Sequence, residues 1–203
     1  MNLKEYNKND LLGKGRYNQV YQIEQKKTGL IFAARISILP ISSEMSQNIL
    51  SEIMIMKSLD HPSILKFIGY SPVDFKNEPN PTIVIEYSSN GSLQDVINNK
   101  STFKLNDTQK LIIIYGIVSG MSYLHEHSIL HNDLKPSNIL IDKEFHPKIA
   151  DFGISQKIET DDKKVIHSNR IIGTPSYIAP EVWNIQDYSK ANDVYSFGIL
   201  LYE

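Results

Sequence analysis

Cysteine is absent from the 203 residues, so neither a disulfide nor a thiolate metal site can hold this chain together. Long apolar runs are missing as well. None approaches the ~20 residues that a membrane span needs, and the opening MNLKEYNKND has no apolar core such as a secretory signal carries. Charge of one sign is not in excess: 21 Lys and Arg stand against 23 Asp and Glu, net −2. A nucleic-acid surface would need clustered excess base, and none is found. There is no internal repeat and no long low-complexity linker. What remains is an ordinary globular composition, 41% hydrophobic and 22% charged, enough to bury a real core. We expect a soluble, intracellular, cytoplasmic chain.

The first third has strand character. Leu11 and Leu12 lead into GKG, residues 20–24 alternate, KKTG at 26–29 is a turn signal, and 30–38 reads as a third strand ended by Pro40. In ISSEMSQNILSEIMIMKSLDHP the apolar Met45, Ile49, Ile53 and Met56 recur at helical spacing. Ser43 or Ser46 is placed to cap that helix, and Pro62 lies past its end. Residues 65–70 and 82–86 read as two more strands. Beyond NGS at 90–92 the pattern changes. Asn106 or Asp107 opens a strongly periodic helix carrying Leu111, Ile114, Ile117 or Val118, Met121 and Leu124. The expected architecture is α+β: a β-rich lobe over about 1–87 and a helical lobe over about 88–203, with a cleft between them.

Several short motifs bear chemistry. GKGRYNQV at 13–20 follows a strand, and its glycines let backbone N–H groups approach a phosphate; alone, the pattern is equally that of a plain hairpin. HNDLKPSN at 131–138 is more specific. It sets Asp133, Lys135 and Asn138 within six residues, the types that phosphoryl transfer requires: a carboxylate near the attacking hydroxyl, a cation for the γ-phosphate and an oxygen ligand for magnesium. DFG follows at 151–153, GTPSYIAPE at 173–181 and DVYSFG at 193–198.

This ordered set resembles the eukaryotic protein kinases, over nearly the whole chain. Lys135 and GTPSYIAPE look like the serine/threonine branch, and DVYSFGILLYE is similar to the tyrosine-kinase-like group. The resemblance implies a two-lobed kinase fold, ATP and Mg2+ as substrate and cofactor, and a protein substrate. It gives Asp133 the role of accepting or orienting the substrate hydroxyl proton and Lys135 that of steadying the γ-phosphate. Asn138 and Asp151 match the metal ligands. Gly13 and Gly15 match the phosphate loop, and Val20, Ala33 and Leu140 the walls around adenine. Ile85 precedes Glu86–Ser88, which match the hinge whose backbone bonds adenine. Glu52 matches the helix glutamate that pairs with a lysine on the third strand.

The chain also departs from the kinase pattern. FAAR at 32–35 puts Arg35 where the family has that lysine, and no lysine occurs between Thr28 and Met56. Arginine keeps the charge and can pair with Glu52, but its planar fork is not a substitute for ammonium where one donor must reach two partners. Asn18 replaces the third loop glycine, so a lysine is not supplied there; Lys14, between the glycines, is expected to face solvent. Asn132 replaces the arginine that would read a phosphorylated loop, which leaves Thr160, Ser168 and Thr174 as unfavoured switches.

The sequence ends at Glu203, inside the helix after Asp193. Glu181 is therefore expected to be buried without its arginine, and Phe197, Ile199, Leu200 and Leu201 to be uncovered, giving marginal stability or dependence on a partner. His125, His127 and His131 do not read as a metal site, because positions two apart on a helix face different sides. Asp142, Glu144, Asp161, Asp162 and the lysine pairs at 26–27 and 163–164 read as solvated charges, and Trp183 as core or docking surface. Two functions follow: a protein serine/threonine kinase, favoured by residues 131–153, or a pseudokinase serving as a binding or scaffold module, favoured by Arg35 and Asn18.

Overall fold

The computed structural model describes residues 1–15, 17–38, 43–158, 166–167, 171–185 and 187–203, with the backbone alone at 43–46, 166–167 and 185. Pro40, Thr160, Asp161, Asp162, the lysines at 163–164 and Ser168 lie outside the described residues, as do the side chains of Ser43, Met45 and Ser46. The chain forms two compact units: Met1–Leu59 with Leu65–Tyr87, and Asp60–Ile64 with Ser88–Glu203.

The first unit is a five-stranded antiparallel sheet with one helix. Strands β1 (Tyr6–Lys14), β2 (Asn18–Gln25), β3 (Ile31–Ser37), β4 (Phe67–Ser71) and β5 (Thr82–Glu86) lie in the order β1-β2-β3-β5-β4. The turn at 26–29 closes where Gly29 adopts φ +70° and its N–H reaches the Gln25 carbonyl at 2.8 Å, a conformation that suits glycine. β1 is longer than its apolar residues suggest. Asn7, Lys8 and Asp10 carry no strand signal, yet backbone pairing to β2 extends it through Gly13, opposite Val20.

Alternation divides the sheet. One face buries Ile23, Ala34 and Val84 against Leu3 and Tyr6, with Phe32, Ile68 and Phe75 beside them. Across the other run Gly13, Val20, Arg35 and Ile83 in one cross-strand row and Ala33 with Ile85 in the next. Helix α1 (Ser43–Ser58) supplies the buried Glu52 and Met56.

The second unit contains α2 (Leu93–Ile97), α3 (Asp107–Glu126), α4 (Pro180–Ile185) and α5 (Lys190–Tyr202). Its short strand pairs are β6 (Ile129–Leu130) with β9 (Gln156–Lys157), β7 (Ile139–Ile141) with β8 (Pro147–Ile149), and β10 (Ile166–His167) with β11 (Asp187–Tyr188). Asn106 caps α3 by accepting the Gln109 N–H at 2.9 Å, while Gln109 returns a bond to the Asn106 N–H, a reciprocal cap worth about 1 kcal/mol. α3 buries Ile113, Gly116, Ile117, Gly120, Met121 and Leu124. The expected stripe is right at Ile117, Met121 and Leu124, but Leu111, Ile114 and Val118 are exposed. The run LIIIYGIV is apolar on every side, so spacing alone could not pick the face. The two glycines pick it: an added Cβ at Gly116 would meet the Pro147 ring and Ser63, and one at Gly120 would meet Ile149.

Into that groove fits the turn Asp60–Ile64. The Ile149 N–H donates to the Ser63 carbonyl (2.8 Å), and the Asp60 N–H to the Tyr123 hydroxyl (3.0 Å). The His61 ring stacks on Tyr123 at 4.9 Å, accepts the Ser63 N–H on Nδ1 (3.1 Å) and places Nε2 against Ser119 Oγ.

Two expectations about the last stretch are corrected. Glu181 is exposed and accepts a bond from Asn192 Nδ2 at 3.2 Å, because it stands in the first turn of α4, where the neighbouring Val182 and not Glu181 takes the buried side. On α5, Leu200 is buried and Phe197 and Ile199 are half-buried, leaving Leu201 and Tyr202 exposed. Tyr177 donates its hydroxyl to the Glu203 carboxylate at 2.8 Å; burial first, then that carboxylate, pushes the phenol up to about 12.

Two measurements test this packing. Gly116→Ala gains about 1 kcal/mol of helix propensity but overpacks against Pro147 and Ser63, which costs about 1–3 kcal/mol. We expect a net loss of about 1 kcal/mol in urea unfolding at unchanged m-value; a rise in midpoint would refute the contact. Burial holds the His61 imidazole below its ordinary value, with Lys148 pushing the same way and Glu126 opposing. The fold thus prefers the uncharged ring. Its contribution is present above about pH 6.5, where the unfolded histidine titrates, and is lost as pH falls through the lowered folded value. With Asp60, His127, Glu126 and Lys148 unchanged, His61→Asn keeps an acceptor for the Ser63 N–H. Stability measured from pH 7.5 to 5 should fall less steeply in that variant.

Candidate active site

In the second unit the segment 131–138 leaves β6 and arrives at β7, and two buried side chains fix its path. Asp193, on α5, accepts the His131 N–H on Oδ2 and the Asn132 N–H on Oδ1, both at 2.9 Å. It also receives His125 Nε2 at 2.9 Å. His131, fully buried, donates from Nε2 to the Ala150 carbonyl at 3.0 Å and accepts the Asp133 N–H on Nδ1 at 3.3 Å. Its ring meets Phe152 edge-on at 5.3 Å. The three histidines are thus structural, each with a separate partner; His127 Nδ1 bonds the Tyr123 carbonyl at 2.8 Å.

On this frame Asp133, Lys135 and Asn138 come together, joined by Thr174. Thr174 Oγ1 donates to Asp133 Oδ1 at 2.6 Å and accepts from Lys135 Nζ at 2.7 Å. Lys135 Nζ also lies 2.7 Å from Asp133 Oδ2. Asn138 Nδ2 donates to Asp133 Oδ2 at 3.0 Å and to the Asp133 carbonyl at 2.8 Å. The Asp133 carboxylate is therefore held in one orientation by a hydroxyl, an ammonium and an amide, and its side chain keeps 11% exposure.

Asp151 follows β8. The Ala150 N–H bonds the Asn138 carbonyl at 2.8 Å, so both residues stand at the same end of the β7–β8 pair. Asp151 has φ +67° and Asn132 φ +64°. Left-handed backbone in side-chain-bearing residues costs of order 1 kcal/mol and concentrates at functional sites. The donor set fits a magnesium ion. Asn138 has committed its amide N–H2 to Asp133, leaving Oδ1 as a hard oxygen donor, and the Asp151 carboxylate is exposed. Leu140, in the middle of β7, is half-buried.

In the first unit Arg35 Nη2 forms an ion pair with Glu52 Oε2, on the sheet face that also carries Gly13, Val20 and Ala33. Lys14 is exposed, as expected. The Gly15 N–H bonds the Asn18 carbonyl at 2.9 Å, closing the loop between β1 and β2. A cavity of about 120 Å³ is lined by Arg35, Glu52, Asn18, Tyr17, Ile49 and Ile83 among others. Glu86, at the end of β5, accepts the Lys66 N–H at 2.7 Å, and Ser88 begins the second unit's main segment.

Sequence reasoning missed Thr174 as a member of the site, naming it only as a phosphorylation candidate, and missed the His125–Asp193 pair. Both contacts span more than 35 residues. The single available signal was that Thr174 stands within GTPSYIAPE. Among the described residues, Asp142, Glu144 and His146 form the one cluster with metal-ligand spacing. Asp142 already accepts the N–H groups of Glu144 and His146 there, a polar turn.

The protein kinase domain model matches residues 6–203. The chain is 38% identical over 198 residues to a protein of Acanthamoeba polyphaga mimivirus named putative serine/threonine-protein kinase/receptor R831, covering 96% of this chain and 12% of that protein. It is 36% identical to serine/threonine-protein kinase 4 homolog B of Dictyostelium discoideum, covering 96% of this chain and 17% of the relative. To MAP3K epsilon protein kinase 1 of Arabidopsis thaliana it is 32% identical, covering 98% and 14%. The chain thus spans a fifth or less of the length of these relatives. No helix among the described residues is long and apolar enough to cross a membrane. With a matching model over nearly every residue and kinase relatives above 30% identity, the chain belongs to the protein kinase family.

Proposed function

We propose that the chain is a protein serine/threonine kinase domain that transfers the γ-phosphoryl group of ATP to a serine or threonine hydroxyl of a protein. The observation that carries this reading is the Asp133–Thr174–Lys135 triangle. The new bond joins the substrate oxygen to the γ-phosphorus, the bond to the β–γ bridging oxygen breaks, and the hydroxyl proton leaves towards Asp133. Asp133, fixed by three donors, orients that hydroxyl without having to reorganise, the condition under which positioning contributes most. Lys135 adds positive charge beside the developing phosphate. Asn138 and Asp151 would hold magnesium, which when bound neutralises charge on the phosphates. On the first unit's sheet, Arg35 is the cation on the same face as Val20 and Ala33, and Gly13 and Gly15 offer backbone N–H groups to phosphate. The proposed adenine contacts are Val20, Ala33 and Leu140, with Glu86 and Ser88 of the hinge. Its partner is a protein substrate.

A second reading, a pseudokinase that binds a partner with or without nucleotide, is favoured by Arg35. Its guanidinium is engaged by Glu52, and a planar fork so held does not reproduce an ammonium shared between glutamate and phosphate.

Phosphate incorporation into a mixed protein substrate separates the two. Asp133→Asn should lower the rate by 100-fold or more, and equal incorporation by the wild type and that variant would sink the kinase reading. Arg35→Lys should raise the rate about tenfold or more if the guanidinium limits phosphate contact. The ion pair itself is tested by stability. Arg35→Met leaves the buried Glu52 carboxylate without that partner and should destabilise by about 3 kcal/mol, with the double variant Arg35→Met, Glu52→Leu recovering part of the loss. Strict additivity in that cycle would show the pair to be incidental.

A further inference from the structure

By sequence, Asn132 stands where the kinase pattern has an arginine. Its contacts give it a role of its own. The residue stands between His131 and Asp133 with φ +64°, and it touches three separate stretches of the second unit. Its backbone N–H is taken by Asp193 on α5. Its side-chain Nδ2 donates to the Ile154 carbonyl at 3.1 Å and approaches Gln156 Oε1 at 3.5 Å. Its carbonyl packs against Gly173, where an added Cβ would lie 2.8 Å away. Ile154 lies three residues past Asp151, and Gly173 immediately precedes Thr174. The Ile154 carbonyl can only accept, so it fixes the amide orientation; a flipped amide would set oxygen against oxygen there. Oδ1 is buried with no hydrogen-bond partner among the described residues, so the side chain is held through its donor end.

A second bond runs in parallel. Ser155 Oγ donates to the His131 carbonyl at 3.0 Å, and the Ser155 N–H closes a turn onto the Phe152 carbonyl. The stretch 152–156 is therefore fastened to 131–132 by two uncharged side-chain bonds. Neither needs a cation or a phosphate.

We propose that Asn132 is a positioning residue. Through its Nδ2 bond to Ile154 it sets where the segment carrying Asp151 lies relative to Asp133. This rests on the kinase reading only for its catalytic consequence; the positioning itself is testable without transfer. Asn132→Gly keeps the left-handed backbone at no steric cost and removes the amide alone. Asn132→Asp keeps the shape, replaces the donor with an acceptor, and opposes the Ile154 carbonyl.

The experiment uses the whole chain. Amide hydrogen exchange without nucleotide should be about fivefold faster over 154–157 in Asn132→Gly, the equivalent of one net hydrogen bond, with α3 unchanged. The magnesium concentration that half-saturates ADP binding should rise by a similar factor, and more in Asn132→Asp. Where transfer is measurable, that loss should appear in kcat and in the magnesium requirement, with KM for the protein substrate unchanged. If Asn132→Gly matches wild type in both exchange over 154–157 and magnesium dependence, the residue serves only the backbone turn and the proposal is overturned. Asn132→Gly gives this answer even if the aspartate variant does not fold. Failure of the kinase reading looks different: wild type and Asp133→Asn then transfer equally, while the exchange and ADP arms still report on Asn132.

Discussion

The buried carboxylate of Asp193 is the contact on which the second unit's site depends. Three donors converge on it: the N–H groups of His131 and Asn132 and the imidazole of His125. A buried carboxylate is tolerated only when its lone pairs are taken up, so the side chain does not merely decorate α5. It forces two consecutive peptide groups to point at one helix. That constraint makes the left-handed conformation at Asn132 affordable, because a chain released from Asp193 would have no reason to hold φ +64° there. With the two peptides fixed, His131 is fixed in turn. It donates to Ala150 and accepts from Asp133, which brings the residue before Asp151 and the catalytic candidate itself to the same ring.

The geometry of Asp133 is thus downstream of packing. Its carboxylate needs Thr174, and Thr174 is delivered by a stretch that lies against the Asn132 carbonyl at Gly173. A side chain at Gly173 would collide there, and φ +115° independently favours glycine. The same logic governs α3. Gly116 and Gly120 are poor helix formers, yet they open the groove that takes Ser63 and the β8 residues Pro147 and Ile149. Helix propensity is lost at two places where a turn and a strand approach the helix backbone, and that strand, β8, is the one that leads to Asp151.

Much of this was legible beforehand. The turn at Gly29, strand β5, the Asn106 cap and the grouping of Asp133, Lys135 and Asn138 all rest on local chemistry, which a sequence displays directly. What stayed hidden follows one physical rule. β1 was under-read because its pairing is made by backbone groups that carry no side-chain signature. The stripe of α3 was misplaced because LIIIYGIV is apolar all round, and only the distant Pro147 and Ser63 decide the face. Glu181 is exposed where burial is expected, since the motif does not display that Val182 beside it takes the buried side of α4. The role of Asn132 could not be read from a substitution, because comparison with a family pattern reports only the lost arginine and not the two acceptors an amide can find.

The two departures in the first unit meet in one place. Asn18 and Arg35 line the same cavity, on adjacent strands whose register sets Asn18 opposite Ser37 and Val20 opposite Arg35. A guanidinium is larger than an ammonium and delocalises its charge over a plane, so an arginine paired with Glu52 occupies more of this volume than a lysine would. The cavity beside it is polar at Asn18 and Glu52 and apolar at Ile49 and Ile83. A glycine at 18 would leave that wall without the amide. The loss of a glycine and the gain of a guanidinium then alter one small volume together, and the effect of restoring either residue alone depends on the other. Residues sharing a cavity couple by about 0.5–3 kcal/mol, comparable to the catalytic difference that a misplaced cation would produce. Whether this unit grips phosphate is therefore a property of the pair, and the sequence position of Arg35 is only half of it.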